Sequence, residues 1–245
     1  MRGKKCILGL MACCSLSTIE VSAQSESESE SKLKANLSAD LVSSYVWRGI
    51  KQAAGASAQP AVSASLSGFT LGVWGSVDVT SNNHKEVDFY AAYSSNNITI
   101  TATDYWWDGE GAFHYFSAPT AGNVGHSFET AIAYTLPESF PLTLSWNTFL
   151  LGQANKKVNG DNSFSTYVEL AYPFSIKEVG FKISTGFTPW ASTIYGTDKF
   201  SFTSVQLGAS KEIKITDSFS VPIFANVIVN PVHEDINFVF GITLR

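Results

Sequence analysis

From Leu33 to the end of the chain, apolar and small polar residues alternate in one short segment after another. The first segment sets Leu33, Ala35, Leu37, Ala39 and Leu41 against Lys34, Asn36, Ser38 and Asp40, and the pattern runs on through Tyr45 and Trp47. In the second, Ala58, Pro60, Val62, Ala64 and Leu66 oppose Gln59, Ser63 and Ser65. Ser67-Gly68 then turns directly into Phe69, Leu71, Val73, Gly75 and Val77, opposed by Thr70, Gly72, Trp74, Ser76 and Asp78. A period of two is that of an extended strand whose faces meet different surroundings. Further segments follow at 86–93, 98–103, 127–136, 142–147, 164–172, 179–188, 202–210, 221–229 and 236–244, which makes twelve predicted strands. No stretch carries a convincing helical period.

The connectors sort by length. Those after even-numbered strands are short (67–68, 94–97, 137–141, 173–178 and 211–220), and the longest follow odd-numbered ones (108–126, 152–162 and 189–199). Short turns on one side, long loops on the other and both termini on the short side is the plan of an outer-membrane barrel. Lipid offers no water to backbone N–H and C=O groups, so strands cross it only as a closed sheet. Strands of roughly ten residues tilted by about 40° span the ~25 Å apolar band. The expected fold is all-β, a single 12-stranded antiparallel up-and-down transmembrane β-barrel over residues 33–245.

The polar face of these strands is mostly Ser, Thr, Gly and Ala, which suits a narrow water-filled lumen. Its larger and charged residues are the expected lumen lining: Asp40, Arg48, Trp74, Asp78, Glu86, Asp88, Tyr90, Glu129, Asn147, Glu169 and Lys182. Carboxylates outnumber cations there, so an open channel would prefer cations. On the apolar face only Asp104 breaks the pattern, which calls for a bulge near Thr103 or a strand already clear of the apolar zone. Tyr45, Trp47, Tyr93, Trp106, Tyr134, Tyr172 and Trp190 fall near strand ends and are expected to form membrane girdles.

Composition narrows the classes further. Charged residues are 15% and aromatic residues 13% of 245. So few cations argue against nucleic-acid binding, and so many rings against disorder over the whole length. No apolar run reaches the ~20 residues of a spanning helix. At the start, Arg2, Lys4 and Lys5 precede an apolar stretch over 6–16, and Val21-Ser22-Ala23 offers a cleavage site, so residues 1–23 read as a secretory leader. Leu10-Met11-Ala12-Cys13 is a loose lipoprotein box that would lipidate Cys13. All three cysteines (Cys6, Cys13, Cys14) lie in this leader. Cleavage after Ala23 therefore leaves a mature chain without disulfides. Removing the leader takes three basic residues and one acidic one, leaving 13 against 20 and a net charge of −7. Residues 24–32, rich in Ser and Glu, read as a solvated tether.

Candidate chemistry is sparse. Arg48 is either a constriction charge that orders anionic solutes or the partner of Asp40 or Glu86 in a lumen salt bridge, the second being favoured. His84, His114, His126 and His233 fall in long-loop regions and read as solvated. His126 with Glu129 is the one pairing with the look of rim catalysis, but no nucleophile motif accompanies it. No enzymatic activity, cofactor or metal is expected.

Ser43-Ser44-Tyr45-Val46-Trp47-Arg48-Gly49, Gly72-Val73-Trp74-Gly75-Ser76 and Thr103-Asp104-Tyr105-Trp106 together resemble the TorF-type porin family. The resemblance spans most of the mature chain and is sharpest in its first half. It implies an outer-membrane barrel and passive passage of small hydrophilic solutes, with the lipid bilayer and the barrel-insertion machinery as partners. The chain departs from many bacterial barrels in ending Leu244-Arg245 rather than on an aromatic residue. Three alternatives stand beside this expectation. A channel could be plugged by the 108–126 loop, a closed barrel could carry an adhesin or rim enzyme on its loops, or the chain could be a soluble secreted β-sandwich or lectin.

Overall fold

A computed structural model describes residues 33–80, 84–108, 114–116, 125–217 and 219–245. The leader, the tether and most of the 108–126 loop lie outside the described residues. Fourteen strands follow in chain order: β1 (Lys34–Val42), β2 (Tyr45–Trp47), β3 (Ile50–Ala53), β4 (Ser57–Leu66), β5 (Phe69–Asp78), β6 (Lys85–Ser95), β7 (Ile98–Asp108), β8 (Gly125–Thr135), β9 (Thr143–Gly152), β10 (Thr166–Ile176), β11 (Val179–Thr188), β12 (Ser201–Lys214), β13 (Ser220–Asn230) and β14 (Asp235–Leu244). β1 and β4–β14 form one closed barrel of twelve antiparallel strands, while β2 and β3 pair only with each other. No helix among the described residues is long and apolar enough to cross a membrane.

Each wall strand pairs with its sequence neighbour, and β1 closes the ring by pairing with β4 on one side and β14 on the other. The closing seam runs from Ala39 opposite Leu244 to Val42 opposite Gly241. A closed ring leaves no place for two sheets pressed face to face, so the sandwich alternative is not the fold. Tight turns suit the short connectors. Ser67-Gly68 and Asn96-Asn97 hold positive φ at both central positions, the geometry whose twist matches paired strands. β10 runs past the expected end at 172 because the alternation continues there, and β12 runs past 210 because its pairing with β13 continues to Lys214 opposite Ser220. Phe174 stacks on Phe181 of β11 with centroids 5.2 Å apart.

The alternation has a clear physical result. Leu37, Leu71, Ile100, Phe238 and Phe240 all stand outward, each more than half exposed. They belong to an apolar surface that runs around the ring. Tyr93, Tyr134 and Tyr172 lie on it toward the short-turn end, where Tyr93 packs on Phe69 and Tyr172 on Phe140. Trp190, beyond the end of β11, lies against Trp146.

Inward residues interlock. Gly72 lies under the Tyr90 ring, Gly186 under Tyr167 and Gly241 under Phe224, each so close that a Cβ would overlap the ring. An aromatic side chain thus covers backbone that a glycine leaves bare on the next strand.

One expectation about the first strand is wrong. The strand does not continue through Tyr45 and Trp47. It ends at Val42, Ser43-Ser44 bend, and β2–β3 form a separate hairpin. Tyr45 and Trp47 are 2% and 3% exposed and cluster with Tyr105, Phe149 and Tyr167 from β7, β9 and β10. Val46, between them, packs on Val42, Phe224, Ile228 and Val239 from the opposite arc of wall. A hairpin that touches both arcs occupies the lumen. These two rings are interior, not girdle residues.

Candidate functional site: the lumen and its hairpin

The hairpin turns on Arg48-Gly49, with φ of 48° and 87°. A two-residue turn of this kind needs positive φ twice, which strains Arg48 and suits Gly49. Glycine is needed at the tip for space as well, since a Cβ on Gly49 would overlap the Thr203 carbonyl oxygen of β12. The Asn230 side-chain amide donates to the Gly49 carbonyl at 3.1 Å, fixing the tip to β13.

From this turn Arg48 reaches across to β8. Its guanidinium donates to both Glu129 oxygens, at 2.6 and 2.8 Å, and to the Tyr195 hydroxyl at 2.6 Å. It also lies over the rings of Trp47 and Tyr167, 4.6 and 4.8 Å from their centroids. The partner is Glu129, not Asp40 or Glu86. Burial opposes the Arg48 charge, but contact with Glu129 outweighs it and holds the guanidinium well above its ordinary value. Burial likewise pushes the Tyr195 hydroxyl up, so it stays neutral and can accept from Arg48. Tyr105 donates to Glu129 at 3.1 Å, which completes the carboxylate's shell.

Around this pair the rings close ranks. Trp47 stacks on Tyr195 at 5.6 Å and meets Tyr105, Trp107 and Phe149 obliquely. Tyr45 lies against Trp74 and His84. This half of the lumen, near the long loops, is packed. Toward the short turns the inner wall is hydroxylic instead, with Ser65 bonded to Thr70, Ser94 to Thr99 and Thr135 to Thr143 at 2.8–2.9 Å.

Ten of the residues expected to line the lumen lie on the inward parity of their strands: Asp40, Trp74, Asp78, Glu86, Asp88, Tyr90, Glu129, Asn147, Glu169 and Lys182. Arg48 comes to it from the hairpin. Asp40 accepts from Thr243, Asp78 from Thr80, and Asn147 donates to the Tyr167 carbonyl. Lys182 lies 3.7 Å from Glu169, which also accepts from the Tyr167 hydroxyl. Tyr105, Trp107, Phe149, Tyr167 and Tyr195 complete the site without having been singled out from the sequence. The first four carried a signal, their parity with Thr103, Asn147 or Glu169. Tyr195 sits in a connector and carried none.

Asp104 and two histidines correct the sequence reading. No bulge resets β7 at Thr103, and Asp104 keeps its outward place, bonded to His126 Nδ1 at 2.9 Å and accepting from the Tyr115 hydroxyl at 3.0 Å. His126 Nε2 meets the Tyr115 carbonyl at 2.8 Å. His126 therefore faces away from Glu129, and both its nitrogens are engaged, which leaves the rim-catalysis pairing without a geometry. The Tyr115 ring lies over Trp106 and Phe89. Trp106 is covered by it, wholly buried, and is not an exposed girdle ring. Burial and the Asp104 carboxylate push the Tyr115 hydroxyl up to about 12. His84 is buried against Glu86 at 3.1 Å, so it too is no solvated loop residue. The described part of the 108–126 loop, residues 114–116, thus lies on the outer wall, while among the described residues the 45–53 hairpin, joined by Tyr195, occupies the lumen.

Fold and site define a class: a closed twelve-stranded barrel with an apolar exterior and an inward hairpin locked by a buried ion pair. Residues 24–224 match Gcw_chp, described as a bacterial protein family of unknown function, and the chain belongs to that family. The three segments that carry the porin resemblance all fall inside this match. No curated protein matches the chain. The family description states no activity, so function has to be argued from the geometry.

Proposed function

We propose that the chain is an exported outer-membrane barrel that serves as a narrow channel for small hydrophilic solutes, with the 45–53 hairpin as its internal constriction. One observation carries the reading: apolar side chains stand outward around the closed wall while hydroxyls line the lumen toward the short turns. An exposed apolar surface of that extent is stable against hydrocarbon and not against water. The rings of Tyr93, Tyr134 and Tyr172 suit the headgroup level at the periplasmic side and Trp190 the outer one. With Arg48 and Lys182 paired and several carboxylates beside the path, passage favours cations over anions. The channel does no covalent chemistry.

The dense packing around Trp47 favours a second reading, a closed barrel that only presents its surface loops. Planar-bilayer recording separates the two. A channel gives small stepwise conductance that grows and stays cation-selective when residues 45–53 are replaced by a short Gly-Ser linker. Silence from both proteins, over repeated insertions of correctly folded material, refutes conduction and leaves the closed barrel.

A further inference from the structure

The alternation of β6 sets Glu86 and Asp88 side by side on its inner face. They are 1% and 0% exposed. Register places Glu86 between Ser76 and Trp107, and Asp88 between Trp74 and Tyr105. The hairpin closes over them, Tyr45 meeting Trp74 and His84, and Trp47 meeting Tyr105 and Trp107. His84 occupies one oxygen of Glu86, its Oε2. Glu86 Oε1 and both oxygens of Asp88 are buried without a hydrogen-bond partner among the described residues.

The two carboxyls lie within hydrogen-bond reach of each other, three of their oxygens meet no donor among the described residues, and the ionisable partner beside them is His84 on Glu86 Oε2. Two cations of the lumen are engaged elsewhere, Arg48 on Glu129 and Lys182 on Glu169. Buried carboxylates without partners are costly, and the usual remedies are a hydrogen-bonded cation, a metal ion or a proton. Here the free groups are all hard oxygen donors on adjacent inward positions, and together they carry two negative charges. That chemistry matches a hard divalent ion with adaptable coordination number.

We propose that Glu86 and Asp88 form a cation site in the barrel lumen, of the calcium class, covered by the 45–53 hairpin. Glu86 Oε1 and the two oxygens of Asp88 supply the protein ligands, and water completes the shell. The site couples the ion to the hairpin, because the rings that wall the carboxylates are those on which Tyr45 and Trp47 rest. It does not depend on whether the barrel conducts.

The test uses the full chain folded in detergent micelles at neutral pH, stripped with a chelator and titrated with calcium chloride. Equilibrium dialysis should show one ion per chain with a midpoint of about 0.1–1 mM, the range of sites with few charged ligands. The thermal midpoint should rise as the site fills. Asp88→Asn and Glu86→Gln should each weaken calcium binding by about tenfold or more, and each should raise the thermal midpoint of the metal-free protein by relieving the facing charges. Glu212→Gln, at the exposed end of β12, should leave the binding unchanged. Absence of calcium binding by the folded wild type at about 10 mM, well above the expected range, overturns the site and leaves a proton shared between the two carboxyls. Wild-type affinity in Asp88→Asn overturns it equally. If that variant does not fold, Glu86→Gln carries the same comparison.

Discussion

The lock between hairpin and wall is the feature most open to a quantitative test. In the closed lumen the Arg48 and Glu129 side chains are 5% and 3% exposed and joined by two charge-assisted hydrogen bonds. Replacing Arg48 by Met keeps much of the volume over Trp47 and Tyr167 but leaves the Glu129 charge buried alone. Breaking a buried pair from one side costs about 3–5 kcal/mol. Tyr105 still donates to Glu129, which softens the loss, so about 3 kcal/mol is the working figure. That corresponds to an increase of about 10²-fold in the population with the hairpin undocked. Hydrogen exchange followed by mass spectrometry reads it directly. Amides of residues 45–53 should lose about two orders of magnitude in protection, while those of β10–β12 keep theirs. Adding Glu129→Met to Arg48→Met should restore most of the protection, because an apolar replacement of both partners removes the stranded charge. Wild-type protection in the single variant would refute the lock. A double variant no better than the single would show that the bonds of the pair themselves hold the hairpin, and that the stranded Glu129 charge is not the source of the loss.

Two further outcomes follow from the geometry. Gly186→Ala forces a Cβ into the Tyr167 ring and should destabilise the barrel by about 1–3 kcal/mol, seen as a lower temperature for the heat-dependent shift in gel mobility; Tyr167→Leu in the same chain should recover part of it. The Tyr115 hydroxyl, held near 12, should titrate late by ultraviolet absorbance, and Tyr115→Phe should remove that late component. Because its folded value is raised, its contribution to holding residues 114–116 on the wall is fully present below about pH 10. That contribution is lost as the pH climbs through about 12.

Much of this protein could be read before any fold was known. Period-two alternation gave the strand number and which side chains of β4–β11 share a face, because each side of a barrel wall meets one kind of surroundings along the whole strand. Connector lengths sorted the two ends, since a tight turn needs only two residues where a loop over a rim needs many. Inward placement of Glu86, Asp88, Glu129 and Glu169 followed from parity alone. Tyr45 and Trp47 mark where that reasoning stops. They alternate as a wall strand does, but the same alternation serves a hairpin with an aromatic cluster on one side and a largely aliphatic one on the other. Alternation reports that two faces differ and is silent on what lies against each. Only the tertiary structure decided that the hairpin turns inward, that Arg48 meets a carboxylate 81 residues away, and that Asp104 can face outward beneath Tyr115. The Arg48 contact joins residues brought together by the barrel's circumference, and no local pattern encodes a distance around a ring; the Asp104 contact depends on the connector after β7 folding back onto the outer wall.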